Sequence, residues 1–442
     1  MRTGTRRFRW KGSGQVISGN RYWQDGTPVA GQQFNYAFDD IGNRKSTGGR
    51  VSAASTYTVN RLNQYSQRTV PNQVDVLGVA NPTANVTVRV VGGTTYTATR
   101  KGEYYHHPLT VGNNVYPTIE AKSLYGATQT QPGKVFNPPA TESFVHDADS
   151  NLTSDGRWTY TWDGENRLVE MKRDTDTPAG ARLRMVFEYD HQGRRIRKQY
   201  YTYSGGWQEQ TDTIFLYDLS AGQAGGWNLM GELDANASKA RLRTYVWGLD
   251  LSGTLEGAGG VGGLLKVTDY VGGTTHHFVA CDGNGNVAAL IDAGTGAITA
   301  RYDYGPFGEP LRATGALALK NPLRFSTKYT DNQSGFLYYG YRYYNPVTGR
   351  WPNRDPIEDE GGVNLHAFVR NDSVSMIDLL GHHPVGVEKC RIEIHIGHHR
   401  SAEPHVPTDV KNHECSAASV IACESIVIPV EREIPGIQPR PN

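Results

Sequence analysis

The chain has 442 residues, with 45 basic and 44 acidic side chains and a formal charge of +1, so no global field draws it to nucleic acid or to an anionic membrane. Glycine (51) and tyrosine (25) are abundant and methionine (5) is scarce, a balance that favours strands and turns and predicts a mainly β fold. The basic start MRTGTRRFRWKGSGQ has no apolar stretch behind it and reads as neither a secretory signal nor an anchor; the longest apolar run, Val420 to Val430, is too short to span a bilayer and is broken by Glu424. Of the four cysteines, Cys281 stands alone and Cys390, Cys415 and Cys423 lie near the C-terminus, which is not a disulfide framework.

A short unit recurs along the chain. FDDIGNR (Phe38 to Arg44), FVHDADSNL (Phe144 to Leu152), TWDGENRL (Thr161 to Leu168), EYDHQGRR (Glu188 to Arg195) and CDGNGNV (Cys281 to Val287) each place Asp ahead of a Gly or Asn turn. The Asp carboxylate can bond the backbone two residues on, and Gly or Asn tolerates the left-handed conformation that closes the turn. Each unit therefore predicts strand, turn, strand, with aromatic and β-branched residues before the turn and basic residues such as Arg194, Arg195, Arg197 and Lys198 after it. Tyr189-Asp190, Tyr217-Asp218 and Tyr302-Asp303 are Tyr-Asp pairs within this pattern.

Residues 66–143 break the rhythm. NPTANVTVRVVGGTTYTATRKGEYY alternates Val or Thr with polar residues and turns at Gly92-Gly93, and GKVFNPPATE follows as a proline-rich linker. Tyr96, Tyr104, Tyr105 and Tyr116 in this β insertion could face carbohydrate, although core or strand positions account for them equally well. The Gly-rich stretch Leu251 to Leu265 reads as a flexible or bulged connection without phosphate-loop spacing.

From Leu323 to Gly381 the sequence is LRFSTKYTDNQSGFLYYGYRYYNPVTGRWPNRDPIEDEGGVNLHAFVRNDSVSMIDLLG. The turn signals DNQSG and NPVTG bracket FLYYGYRYY, predicted as one strand with Phe336, Tyr338, Arg342 and Tyr344 on one side and Tyr339, Tyr341 and Tyr343 on the other. This block, with YDYGPFGEP (Tyr302 to Pro310) before it, resembles the Rhs repeat-associated core almost residue by residue. Together with the Tyr-Asp pairs, it makes the chain similar to the C-terminal part of Rhs/YD-repeat proteins.

The resemblance implies a β-strand spiral of hairpin repeats closing into a shell, with an α/β or irregular tail. It divides the chain into an N-terminal repeat region (1–65), the β insertion (66–143), the repeat shell (144–301), the core (302–381) and a variable tail (382–442). It implies that the shell encapsulates and presents its own tail as a toxin-like cargo, with an immunity or secretion-system partner, and that the protein is secreted or at the cell surface. Relatives of this kind cut themselves with two aspartates, which transfers to Asp355 and Asp378 as candidate catalytic residues of an aspartyl autoprotease. Arg354 would position the pair, and the break would fall near Gly381–His382 or His382–His383. Two carboxylates at one site share a proton, so one serves as acid while the other activates water. Three positions depart from the pattern: Glu358 stands in place of glycine, Leu379 in place of proline, and His382 in place of the usual apolar residue. Asp355 and Asp378 also fit a purely structural role as turn caps.

The tail holds His382, His383, His395, His398, His399, His405 and His413 and three cysteines. His395, His399, His413 and Cys415 are candidate zinc ligands for a metal-dependent toxin, although no standard spacing is met; a remnant with chance histidines and no cofactor is the alternative. A non-enzymatic surface or adhesion protein that binds carbohydrate or a partner is the third reading of the whole chain.

Overall fold

The computed structural model describes residues 3–49, 54–173, 176–218, 226–382 and 384–386. The fold is mainly β, as expected, with short 3₁₀ turns and no α-helix among the described residues.

The repeat turns are closed by one set of bonds. Asp39 Oδ1 accepts from the N–H groups of Ile41 (3.0 Å) and Asn43 (2.7 Å), and its Oδ2 accepts from Asn43 Nδ2 (2.8 Å). Asp163, Asp190 and Asp282 repeat this arrangement with Arg167, Arg194 and Asn286 four residues on. That fourth residue also reaches the following turn: Asn43 Nδ2 donates to Asn63 Oδ1 (2.9 Å), Asn151 Nδ2 to Asn166 Oδ1 (2.7 Å) and Arg167 Nη1 to the Asp190 carbonyl (3.3 Å). The turns thus form a polar ladder along the edge of the sheet.

Just before each turn the strand register slips by a residue, at Trp162, Tyr189, Tyr217, Trp247, Cys281 and Tyr304 among others. Such a bulge leaves a carbonyl without its ladder partner. The aromatic residue of the next hairpin supplies one. Trp162 Nε1 donates to Leu152 O (2.8 Å), Tyr189 OH to Leu168 O (2.5 Å), Tyr217 OH to Arg195 O (3.0 Å), Trp247 Nε1 to Leu229 O (2.8 Å) and Tyr304 OH to Val287 O (2.8 Å). Five repeats thus place a polar-tipped aromatic here, whereas Phe38 and Cys281 hold the same position before Asp39 and Asp282. The pair Tyr302-Asp303 is a correction to the sequence pattern: Tyr302 OH bonds Ala318 O (3.1 Å), and the repeat position belongs to Tyr304.

Six consecutive strands from Thr3–Trp10 to Tyr65–Thr69 form one sheet, which Thr141–Ser143 completes by pairing with Tyr65–Thr69. The strands between those two form separate sheets of three and four strands. Fourteen strands, Val145–His146 to Pro310–Thr314, then pair antiparallel in strict chain order. Both large sheets share one apolar core with the segment that follows them. Phe34, Phe38, Tyr245 and Val267 from the sheets meet Leu323, Tyr344, Trp351 and Phe368 from that segment, all buried. The core segment is thus enclosed by the repeat strands.

FLYYGYRYY departs from the single predicted strand. It is itself a hairpin, Leu337–Tyr338 pairing with Tyr343–Tyr344, and Tyr339 N–H bonds Arg342 O (3.0 Å) across the turn. Gly340 sits in this turn at φ 128°, where a side chain would be strained. Strict alternation of faces cannot survive the reversal, and Tyr338, Tyr339, Tyr343 and Tyr344 are all buried. Among the insertion tyrosines, Tyr104 is buried with its hydroxyl on Asp303 (2.8 Å), and Tyr96 stacks on His107 at 5.0 Å.

Tyr304→Phe keeps the ring and removes only the bond to Val287 O. It is expected to lower unfolding stability by about 1–2 kcal/mol in urea titrations, because a buried carbonyl is left unsatisfied; no change would mean that the bulge carbonyl finds another donor.

Candidate self-cleavage site

The strand Met376–Asp378 pairs with Pro384–Gly386, so the chain reverses just where the break is expected. Asp378 is buried within this reversal. Its Oδ1 accepts from Gly381 N–H at 2.5 Å and from His382 N–H at 3.1 Å. The amide of the Gly381–His382 peptide is therefore hydrogen-bonded to one of the two candidate carboxylates.

The carbonyl of the same peptide is held by Arg342, whose Nε donates to Gly381 O. Arg342 Nη2 donates to Asp355 Oδ2 (2.7 Å), Nη1 donates to Leu365 O (3.2 Å), and the guanidinium lies 4.3 Å from the centre of the Trp351 ring. Asp355 Oδ1 accepts from Ile357 N–H at 3.2 Å. Burial weakens the hold of Arg342 on its proton, against the charges of Asp355 and Asp378. Burial likewise lifts the Asp355 carboxyl above its usual range, opposed by Arg342 and aided by the charge of Asp378.

The predicted pair thus reaches one peptide without forming a direct dyad: among the described residues no hydrogen bond joins Asp355 to Asp378. Asp355 is coupled to the carbonyl through Arg342, and Asp378 binds the amide. Arg354 borders a cavity of about 350 Å³ shared with Asp355, Tyr341 and Glu358, and no hydrogen bond or ion pair of its side chain is found among the described residues. The guanidinium that bonds Asp355 and Gly381 O is that of Arg342. Its signal in the sequence is a single cation inside a run of tyrosines, a residue that burial would force to find a carboxylate.

The departures at Glu358 and Leu379 are visible. Glu358 adopts φ 53°, the left-handed region that explains a glycine there. Leu379 keeps the feature that its neighbours use, its carbonyl, which accepts from Lys328 Nζ at 2.5 Å. Lys328 also donates to Gly259 O (2.7 Å), and burial pushes its ammonium down to about 8 despite the nearby charges of Asp378, Asp250 and Glu256. Gly259 belongs to the Gly-rich stretch, which is organised rather than a bare connection: Asp250 Oδ2 accepts from Ala258 N–H (2.7 Å) and Gly260 N–H (3.0 Å). A Cβ on Gly259 would lie 2.2 Å from Leu379 O, so only glycine lets this loop press on the hairpin.

The candidate zinc ligands His395, His399, His413 and Cys415 lie outside the described residues, as does His383. Among the described residues no group of three or more His, Cys, Asp or Glu is placed to hold a metal ion.

Arg342→Met leaves Asp355 buried without its cation and should lower stability by about 3 kcal/mol, whereas Arg354→Met should fall within about 0.5 kcal/mol of the parent in the same denaturant titration. Equal effects would put the two arginines in the wrong order. Glu358→Gly should stabilise the chain by about 1 kcal/mol by relieving the left-handed strain, a gain readable as a higher Tm.

No family model matches the chain. Over 247 residues, 54% of this chain and 9% of the relative, it is 30% identical to the tRNA3(Ser)-specific nuclease WapA of Bacillus spizizenii. It is 24% identical to toxin subunit YenC2 of Yersinia entomophaga over 53% of this chain and 20% of that one, and 28% identical to the probable deoxyribonuclease RhsB of Dickeya dadantii over 51% and 14%. The chain therefore spans a fifth or less of the length of these relatives. With its aromatic-Asp hairpin repeats, its buried core segment and these relatives, the chain is similar over about half its length to Rhs/YD-repeat toxin proteins.

Proposed function

We propose that the chain is the closing part of a β-shell that encloses its own C-terminal segment and severs it at Gly381–His382. One observation carries this reading: the Gly381–His382 peptide is hydrogen-bonded at both ends, its carbonyl by Arg342 and its amide by Asp378, with Asp355 on the same guanidinium. Arg342 would stabilise the oxyanion that forms when water adds to the Gly381 carbonyl carbon. Asp355, beside the open cavity, would take the proton of that water. Asp378, whose Oδ1 accepts from the His382 N–H, would hold that nitrogen in place while the proton taken up by Asp355 returns to it as the C–N bond breaks, leaving a Gly381 carboxylate and a free His382 amine.

The domain reading follows the same logic. We assign 1–65 and 144–301 to repeats, 66–143 to an insertion, 302–381 to the core and 382–442 to cargo. The pairing of Tyr65–Thr69 with Thr141–Ser143 supports an insertion between them. The names of the relatives, two nucleases and a toxin subunit, support a toxic cargo and export from the producing cell, with an immunity or secretion-system partner. No helix among the described residues is long and apolar enough to cross a membrane. Of the insertion tyrosines, Tyr104 is buried against Asp303 and withdrawn from any adhesive surface, while Tyr96 is exposed.

Intact-mass measurement of the purified full chain should show two fragments that meet at Gly381–His382. Asp355→Asn and Asp378→Asn should each give the single full-length mass, since an amide at 355 cannot take the proton of water and an amide at 378 lacks the charge that holds the Gly381 and His382 N–H groups. A full-length mass for the unmutated, folded chain would leave a shell without protease activity, and breaks that persist in both variants would assign the cut to something else.

A further inference from the structure

The tyrosine-rich hairpin leaves one ring out of the core. Tyr338, Tyr339, Tyr343 and Tyr344 are buried, but Tyr341 is 42% exposed, so packing alone does not account for it. Its ring centre lies 4.9 Å from that of His382, the first residue beyond the proposed cut, and 4.8 Å from that of Trp227 on the other contact. Its N–H donates to Leu380 O at 2.9 Å, so the same residue grips the backbone before the cut and the side chain after it. Gly340 brings the turn this close, since a Cβ there would meet Trp227 at 3.0 Å and Leu380 O at 3.2 Å. Tyr341 also borders the cavity that reaches Asp355.

We propose that Tyr341, backed by Trp227, is the specificity-determining residue for self-cleavage and reads the side chain at position 382. The inference rests on self-cleavage at Gly381–His382. A flat or bulky apolar side chain at 382 packs on the Tyr341 ring and fixes the register of the 382 N–H on Asp378. Glycine gives the ring nothing to hold, and aspartate adds a second charge beside Asp378. Trp227 is a positioning residue, because its ring backs that of Tyr341 at 4.8 Å.

Cell-free synthesis of the full chain, sampled over time and read by intact mass, gives the rate of cutting before purification hides it. His382→Phe and His382→Leu should cut within about twofold of the parent, and His382→Gly about five- to tenfold more slowly, the range expected for loss of one aromatic contact. Tyr341→Phe should retain the preference. Tyr341→Ala should slow the parent to the rate of His382→Gly and make the rate indifferent to residue 382, which a merely structural tyrosine would not do. Equal rates for His382→Gly and His382→Phe in the unmutated background would overturn the inference, whether or not Tyr341→Ala folds. So would a 382 preference that survives in Tyr341→Ala. If the unmutated chain never cuts, the self-cleavage reading itself falls, and this inference with it.

Discussion

A strand that enters a tight turn through a bulge leaves a carbonyl without its ladder bond, and at five places in this chain the next hairpin supplies the missing donor. A polar-tipped aromatic does so at Trp162, Tyr189, Tyr217, Trp247 and Tyr304. Each ring is an apolar filler whose far end carries one N–H or O–H, so a single residue type both packs the inner face and satisfies the bulge. The bond runs from one hairpin to its predecessor. It therefore fixes register and spacing along the sheet, and the Asp-centred turns continue the same chain of contacts at the edge.

Once that inner face is lined with tyrosine hydroxyls, the enclosed segment can be held by polar as well as apolar contacts. Tyr338 OH accepts from Arg195 N–H (2.8 Å), and the hydroxyls of Tyr189 and Tyr343 meet at 2.9 Å. Arg195, fully buried, bonds Asp331 at 2.7 Å and lies within 5 Å of the Phe215, Tyr329 and Tyr338 ring centres. A cation buried so deeply is costly unless its partners are fixed, which makes it a registry device for the segment that carries Asp331. Arg342 repeats the logic farther along, with Asp355 as partner and Gly381 O as the second acceptor.

The turns were legible in the sequence because their bonds are local: Asp39 or Asp190 binds backbone two and four residues on, a distance that sequence spacing reports directly. The role of the aromatics was only half legible, since strand propensity marks a tyrosine but not the carbonyl ten to twenty-two residues back that it serves, and the Tyr302-Asp303 pair points to Tyr302 although Tyr304 holds the repeat position. In FLYYGYRYY the alternation of rings suggested one strand, while a single glycine reversed it. Asp355 and Asp378 were legible through family resemblance alone, and Arg342 was hidden because its partners are contributed by residues 13 and 39 positions away. The Gly-rich loop looked like a linker because nothing local reveals that Gly259 touches Leu379.

These layers converge on one peptide bond. The repeat holds the core segment, the core segment holds Arg342, and Arg342 and Asp378 hold the two ends of Gly381–His382. If water is the nucleophile and Gly381 the residue it attacks, cutting in water enriched in oxygen-18 must leave the label on a defined atom. Mass spectrometry of the larger fragment should show a C-terminus at Gly381 carrying one oxygen-18 atom, with none on the fragment that begins at His382. A larger fragment ending elsewhere, or ending at Gly381 without the label, would contradict direct attack of water on this peptide.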